Sequence, residues 1–205
     1  YLNDFEMLNA ERIPIDESTG KFGWHGDEFV PFTDKITFDA ELGYRRLYES
    51  VREHGDRDEW MKMAASVRDS IRQEPMIYMA AAFGSILVSM LNVSSFIVNL
   101  YGRTGRGKTV SLMLAASIWG NPSGHSYISE SNSTTNALVE RQGILNHLPL
   151  MIDDLSKVKG GENDQKLVDL VYYLTANGGK DRLTRHSTPR DAATWGNIVL
   201  ANMER

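Results

Sequence analysis

Gly102, Arg103, Thr104, Gly105, Arg106, Gly107, Lys108 and Thr109 form a complete G-x-x-x-x-G-K-[ST] run. These residue types at this spacing suit one task, the cradling of a nucleoside triphosphate. Glycine admits backbone angles that a Cβ forbids, so successive N–H groups can converge on phosphate oxygens. Lys108 would reach the β- and γ-phosphates and Thr109 a magnesium ion. Val110 follows in the first turn of a helix expected over Lys108 to Trp119, whose N-terminal partial positive charge faces the same ligand. Such a run carries weight only between a strand and a helix. The apolar stretch Ser95 to Tyr101 supplies the strand. ATP and Mg2+ are therefore the expected cofactors, and GTP is disfavoured because no N-K-x-D run occurs.

A second constellation lies downstream. Leu148-Pro-Leu-Met-Ile152 is a continuous apolar run, typical of a buried parallel strand, and it ends in Asp153-Asp154. Asp153 would hold magnesium beside Thr109, directly or through water. Hydrolysis also needs a group to orient or deprotonate water. Asp154 is the first candidate because it neighbours the magnesium acid, and Glu130, after the expected strand Tyr127 to Ser129, is the second. Asn202, where the strand that starts at Gly196 is expected to end, is a polar group that can sense the γ-phosphate or its water. The plainer alternative for each is a solvated or strand-ending turn residue.

The stretch 178–190 holds Lys180, Arg182, Arg185, His186 and Arg190. It suits contact with nucleic-acid phosphates, or the loan of Arg182 or Arg185 to a neighbouring subunit's triphosphate. Its alternative is a solvated basic loop. Lys157 and Lys159 form a smaller basic element, for which a solvated loop is the better reading. The five histidines lack metal-ligand spacing, and His25 reads as structural.

The elements that must position these groups follow from periodicity. Residues 1–42 read as a small β-rich segment, with strands at Phe22 to His25 and Glu28 to Val30 and a third at Ile36 to Phe38. Residues 43–93 read as helical: Trp60, Met63, Ala64 and Val67 share one face that Ile71 continues, and Pro75 stops this helix and opens the next. That next helix, to about Leu91, is expected to be buried; it is too short, and too diluted by Gly84, Ser85 and Ser89, to span a membrane. In 94–205 strands alternate with helices: a short strand at His125 to Ser129, a helix capped by Thr134 or Thr135, the acid strand, a helix from Asp164 to Ala176, the basic loop and a last strand. The fold class expected is α/β, a P-loop NTPase with a largely parallel sheet.

Composition sets the limits. A chain of 205 residues with 41% apolar content can bury a full core. With no cysteine there is neither a disulfide framework nor a thiolate metal site, which fits a cytoplasmic protein. A formal charge of −5 gives no whole-chain attraction to nucleic acid, though a local basic surface can still supply it. No charged-then-apolar leader is present, and because the chain opens on Tyr1 an upstream segment is expected.

With these pieces in place the chain resembles the phage and prophage family called domain of unknown function 927, helicase-like ATPases found near or fused to primase modules. The resemblance rests on Gly23-Trp24-His25-Gly26, Gly102 to Thr109, Ala115 to Pro122, Leu148 to Asp154, Leu170 to Leu174, Ala176 to Lys180, Arg182, Arg185 and Thr194-Trp195. It implies an additional-strand P-loop ATPase related to the AAA+ and helicase classes, working in mobile-element DNA replication inside a bacterial host. It further implies a homo-oligomeric ring with ATP between subunits and single-stranded or duplex DNA at its centre, and a primase partner. The chain departs from the family pattern twice: Asp153-Asp154 replaces Asp-Glu, and Ala201-Asn202-Met203-Glu204 replaces Ser/Thr-Gly-Glu. An ATP-driven motor for DNA is the leading expectation. A small-molecule kinase and a nucleotide-binding scaffold without turnover are the alternatives.

Overall fold

A computed structural model describes residues 1–12, 16–39, 42–123, 127–129, 133–155, 164–178, 182–183, 189–190 and 194–204, with backbone alone at 42, 164–166, 182–183 and 189–190. The chain opens with α1 (Leu2–Asn9), then β1 (Glu17–Thr19), β2 (Gly23–His25), β3 (Glu28–Val30) and β4 (Ile36–Phe38). Helices follow: α2 (Arg45–Ser50), α3 (Arg57–Arg68) and α4 (Gln73–Gly84), the last running into a 3-10 turn at Ser85–Leu87. Then come β5 (Phe96–Gly102), α5 (Lys108–Ala116), β6 (Ile128–Ser129), α6 (Thr135–Leu145), β7 (Leu150–Ile152), α7 (Asp164–Thr175), β8 (Arg182–Leu183), β9 (Pro189–Arg190) and β10 (Ile198–Glu204).

Four strands form one parallel sheet in the order β5-β10-β7-β6, so the last strand lies between the first and third. Ile198 to Asn202 are buried without alternation, as a strand covered on both faces requires. The covers are two helix pairs: α4 and α5 pack on each other and on β10, while α6 and α7 pack together against β7 and β5. Fully buried Leu112, Ala115 and Ala116 of α5 meet the same core as Leu150, Met151 and Ile152 of β7. Removing such side chains from water is the main favourable contribution to folding.

Asn197 fixes the start of β10. Its N–H donates to Ser95 Oγ at 3.2 Å, its Nδ2 to the Leu148 carbonyl at 3.0 Å, and its Oδ1 accepts from Gln142 Nε2 at 2.9 Å. A buried carboxamide held by the segment before β7 and by α6, on a residue whose N–H is held by the segment before β5, resists a slip of register. The register that results sets Ala201 opposite Ile152 on one side and Glu204 opposite Gly102 on the other.

The segment before α3 joins this core. Phe22 stacks on Phe38 at 4.4 Å between ring centroids, and Phe38 on Tyr48 at 4.7 Å. Trp24 Nε1 donates to the Ile86 carbonyl at 3.2 Å, and α3 itself is tied in by Trp60 Nε1, which donates to Ser117 Oγ at 2.9 Å. The hairpin of β2 and β3 and the strand β4 lie where alternation places them, while β4 pairs in parallel with β1.

Several expectations are corrected. Ile71 does not continue the face of Trp60, Met63, Ala64 and Val67: α3 ends at Arg68 and Ile71 is 99% exposed. Met76 to Leu91 is not one buried helix, since α4 ends at Gly84 and Ile77, Phe83, Leu87, Met90 and Leu91 are exposed. The basic loop contains a short antiparallel pair, β8 with β9. Helix α1 in the N-terminal segment was not expected, and β10 runs past Asn202 to Glu204. Among the described residues no helix is long and apolar enough to cross a membrane.

Candidate functional site

The glycine loop leaves β5 at its carboxyl end and enters α5 at Lys108. Gly105 and Gly107 hold φ of 77° and 82°, left-handed values at which a side chain is strained. Gly107 is the N-cap of α5 and brings no side-chain cap, so no N-cap side chain engages the first-turn N–H groups, as an anion site would require. Lys108 Nζ donates to the carbonyls of Gly102 at 2.8 Å and Arg103 at 2.9 Å. Those bonds occupy two of the three ammonium donors. Thr104 Oγ1 donates to Glu204 Oε1 at 2.7 Å, tying the loop to the end of β10.

The acid strand ends against the same loop. Thr109 Oγ1 donates to Asp153 Oδ1 at 3.1 Å, and Asn202 Nδ2 donates to the same oxygen at 2.6 Å. Asn202 Oδ1 in turn accepts the Asp154 N–H at 2.7 Å. With a carboxylate on one side and an N–H on the other, only this orientation of the amide satisfies both ends. Asn202 is 2% exposed, and the acidic pair takes its Oδ1 and one of its two Nδ2 hydrogens. Asp153 is held from its other side by its own N–H, which donates to the Ser129 carbonyl of β6 at 3.0 Å. Asp154 sits in a left-handed conformation, φ 60°, and is 8% exposed.

Tyr78 of α4 supports this arrangement from below. Its buried hydroxyl accepts from the Leu100 N–H at 3.2 Å and donates to the Ala201 carbonyl, bridging β5 and β10 one residue before Asn202. Burial pushes the phenol well above its ordinary pKa, so it stays a donor.

The structure thus gathers Gly102, Arg103, Thr104, Gly105, Arg106, Gly107, Lys108, Thr109, Asp153, Asp154 and Asn202 at one edge of the sheet; Val110, on the exposed side of α5, lies beside them. Glu130, Arg185 and the pair Lys157 and Lys159 lie outside the described residues, and Arg182 is described in its backbone alone, on β8. Three groups at this edge carry no motif in the sequence: Tyr78 between β5 and β10, Glu204 against Thr104, and Arg72, whose Nη2 donates to the Arg106 carbonyl at 2.8 Å. His25 Nε2 lies 3.0 Å from the Lys21 carbonyl.

Parallel strands covered by helices on both faces make this an α/β protein, and open sheets of that class collect ligands at the carboxyl ends of their strands. The loop, Asp153 and Asn202 meet at that edge. Within this class the chain belongs to the DUF927 family, a domain of unknown function whose family model matches residues 1–194. Strand β10 and Asn202 lie past the matched residues. Among curated proteins none matches the chain. A solved structure of the SCCmec type IV Cch active helicase shares the fold, with a TM-score of 0.66 at 19% identity, covering 100% of this chain and 39% of that one. The chain therefore spans well under half the length of that helicase.

Proposed function

We propose that the chain is the ATP-binding and ATP-hydrolysing unit of a helicase-like motor that acts on the DNA of a mobile element. The observation that carries this is the 3.1 Å separation of Thr109 Oγ1 and Asp153 Oδ1, two oxygens delivered by segments 44 residues apart. Two ligands on adjacent corners of an octahedral magnesium ion stand about 3 Å apart, at ion–oxygen distances of about 2.1 Å. Thr109 and Asp153 would therefore hold the ion, which takes its remaining ligands from water and phosphate, as magnesium commonly does. When bound it would neutralise charge developing on the phosphoryl oxygens.

The chain's own groups do the rest. N–H groups of the loop and of the first turn of α5 hold phosphate oxygens, and Lys108 exchanges its carbonyl partners for one of them. Asn202, locked by Asp153 and Asp154, keeps a second amide N–H for the γ-phosphate or its attacking water. Asp154 is the leading general base and Glu130 the second. Arg182 or Arg185 serves a neighbouring subunit's triphosphate in a ring around DNA, and a primase is the associated module. The fold shared with a helicase, and a strand inserted between the loop strand and the acid strand, support a motor over a small-molecule kinase. A scaffold that binds ATP without turnover draws support from one observation, the burial of Asp154.

The test is ATP binding and turnover, each with and without single-stranded DNA, beside Lys108→Ala. DNA-stimulated turnover that the variant loses supports the motor. Tight binding with no turnover under either condition establishes the scaffold, turnover onto a small hydroxylated acceptor establishes the kinase, and no binding removes all three.

A further inference from the structure

We infer that Arg72, which lies outside the glycine loop, is a positioning residue that turns the Gly107 N–H toward bound phosphate. The inference rests on the triphosphate reading of the loop. Arg72 is the extended N-cap of α4, with φ −85° and ψ 119°. Its Nη2 donates to the Arg106 carbonyl at 2.8 Å, and its Nη1 is 3.7 Å from the point a Cβ on Gly107 would occupy.

The peptide joining Arg106 to Gly107 is planar and trans, so its C=O and N–H point in opposite directions. A guanidinium that grips the carbonyl from one side therefore directs the N–H to the other. Glycine leaves this peptide freer to rotate than any other residue would, so the direction needs an outside restraint. A charged donor supplies a stronger one than a neutral group.

Arg72 is itself held in place. Glu74 Oε2 is 3.7 Å from its Nε, and Ser70 Oγ donates to its carbonyl at 3.3 Å. Helix α4 is pinned in turn by the Tyr78 hydroxyl between β5 and β10. The guanidinium thus reaches the loop from a helix anchored to the two strands that carry Gly102 and Asn202.

The experiment compares the chain with Arg72→Ala and Arg72→Lys, reading the Gly107 amide resonance, thermal stability and MgATP affinity at about 0.1 M and about 1 M salt. Arg72→Ala should shift the Gly107 amide and weaken MgATP binding about tenfold, in line with loss of one charge-assisted bond. The deficit should persist at high salt, where the Debye length falls to about 3 Å. Arg72→Lys, which keeps the charge and a donor but not the fork, should recover part of it. An unmoved amide, equal affinity, or a deficit that vanishes at high salt overturns the inference. If the unaltered chain binds no MgATP, the triphosphate reading fails, and the Gly107 amide alone then decides whether Arg72 orients that peptide.

Discussion

Asn202 Nδ2 donates to Asp153 Oδ1 at 2.6 Å, across the joined carboxyl ends of β10 and β7. The pairing of Ala201 with Ile152 makes this bond, because the next residue on each strand is then a neighbour of the other. One carboxylate oxygen is thereby shared between the loop helix, through Thr109, and the central strand, through Asn202. A change at either donor is felt by the other through that oxygen.

Asn202→Ala should therefore destabilise the fold as well as alter the site. It strips the Asp154 N–H of its acceptor and Asp153 of a donor in a region only 2% exposed at Asn202, a loss of about 1–3 kcal/mol. Asn202→Asp should cost more, since it sets a second carboxylate against Asp153. Urea midpoints of the three chains check this, and an unchanged midpoint for the alanine variant would refute it.

Gly23→Ala should be among the more damaging single-methyl additions. A Cβ there would stand 2.5 Å from His147 Nδ1, and φ is 91°, a left-handed value. Overpacking and backbone strain together amount to about 2–4 kcal/mol. Thermal unfolding reads the loss. Adding His147→Ala to the same chain removes the ring but leaves the His147 Cβ 2.7 Å from the new methyl, so it should return only part of the overpacking and leave the strain.

His147 should also give the fold an acid-side weakness. Burial, with the nearby charges of His25 and Lys21, holds its imidazole below the ordinary histidine value. Its Nδ1 accepts the Trp24 N–H at 3.0 Å, a bond that requires an unprotonated nitrogen. The unfolded chain takes up a proton near pH 6.5 while the folded chain resists, so the stability is fully present above about pH 6.5 and is lost as pH falls through the folded value. Melting temperatures between about pH 5 and about pH 7.5 should show a slope that His147→Gln reduces. Parallel slopes for the two chains would remove His147 as the cause.

Much of the architecture was legible because its signals are local. Thr134 caps α6 by accepting from the Ala137 N–H at 3.3 Å, as its residue type predicts. The apolar runs became β5, β7 and β10, and the loop sits between strand and helix. Ile71 misled because helical spacing says which residues share a face and not where the helix stops; Asp69 and Ser70 end α3 before it. The strand was expected to end at Asn202, where a polar residue breaks the apolar run, yet pairing with Tyr101 and Gly102 keeps Met203 and Glu204 in β10.

The sequence by itself determined the chemistry available at the site. Glycines at Gly105 and Gly107 permit left-handed backbone, and Lys108, Thr109 and Asp153 bring an ammonium, a hydroxyl and a carboxylate. Only the tertiary structure decided which of these groups meet. The insertion of β10 between β5 and β7 brings Asn202 onto Asp153, and the packing of α4 brings Arg72 onto the Arg106 carbonyl. Neither contact leaves a periodic trace, because parallel register and helix placement arise from burial shared among segments distant in the chain.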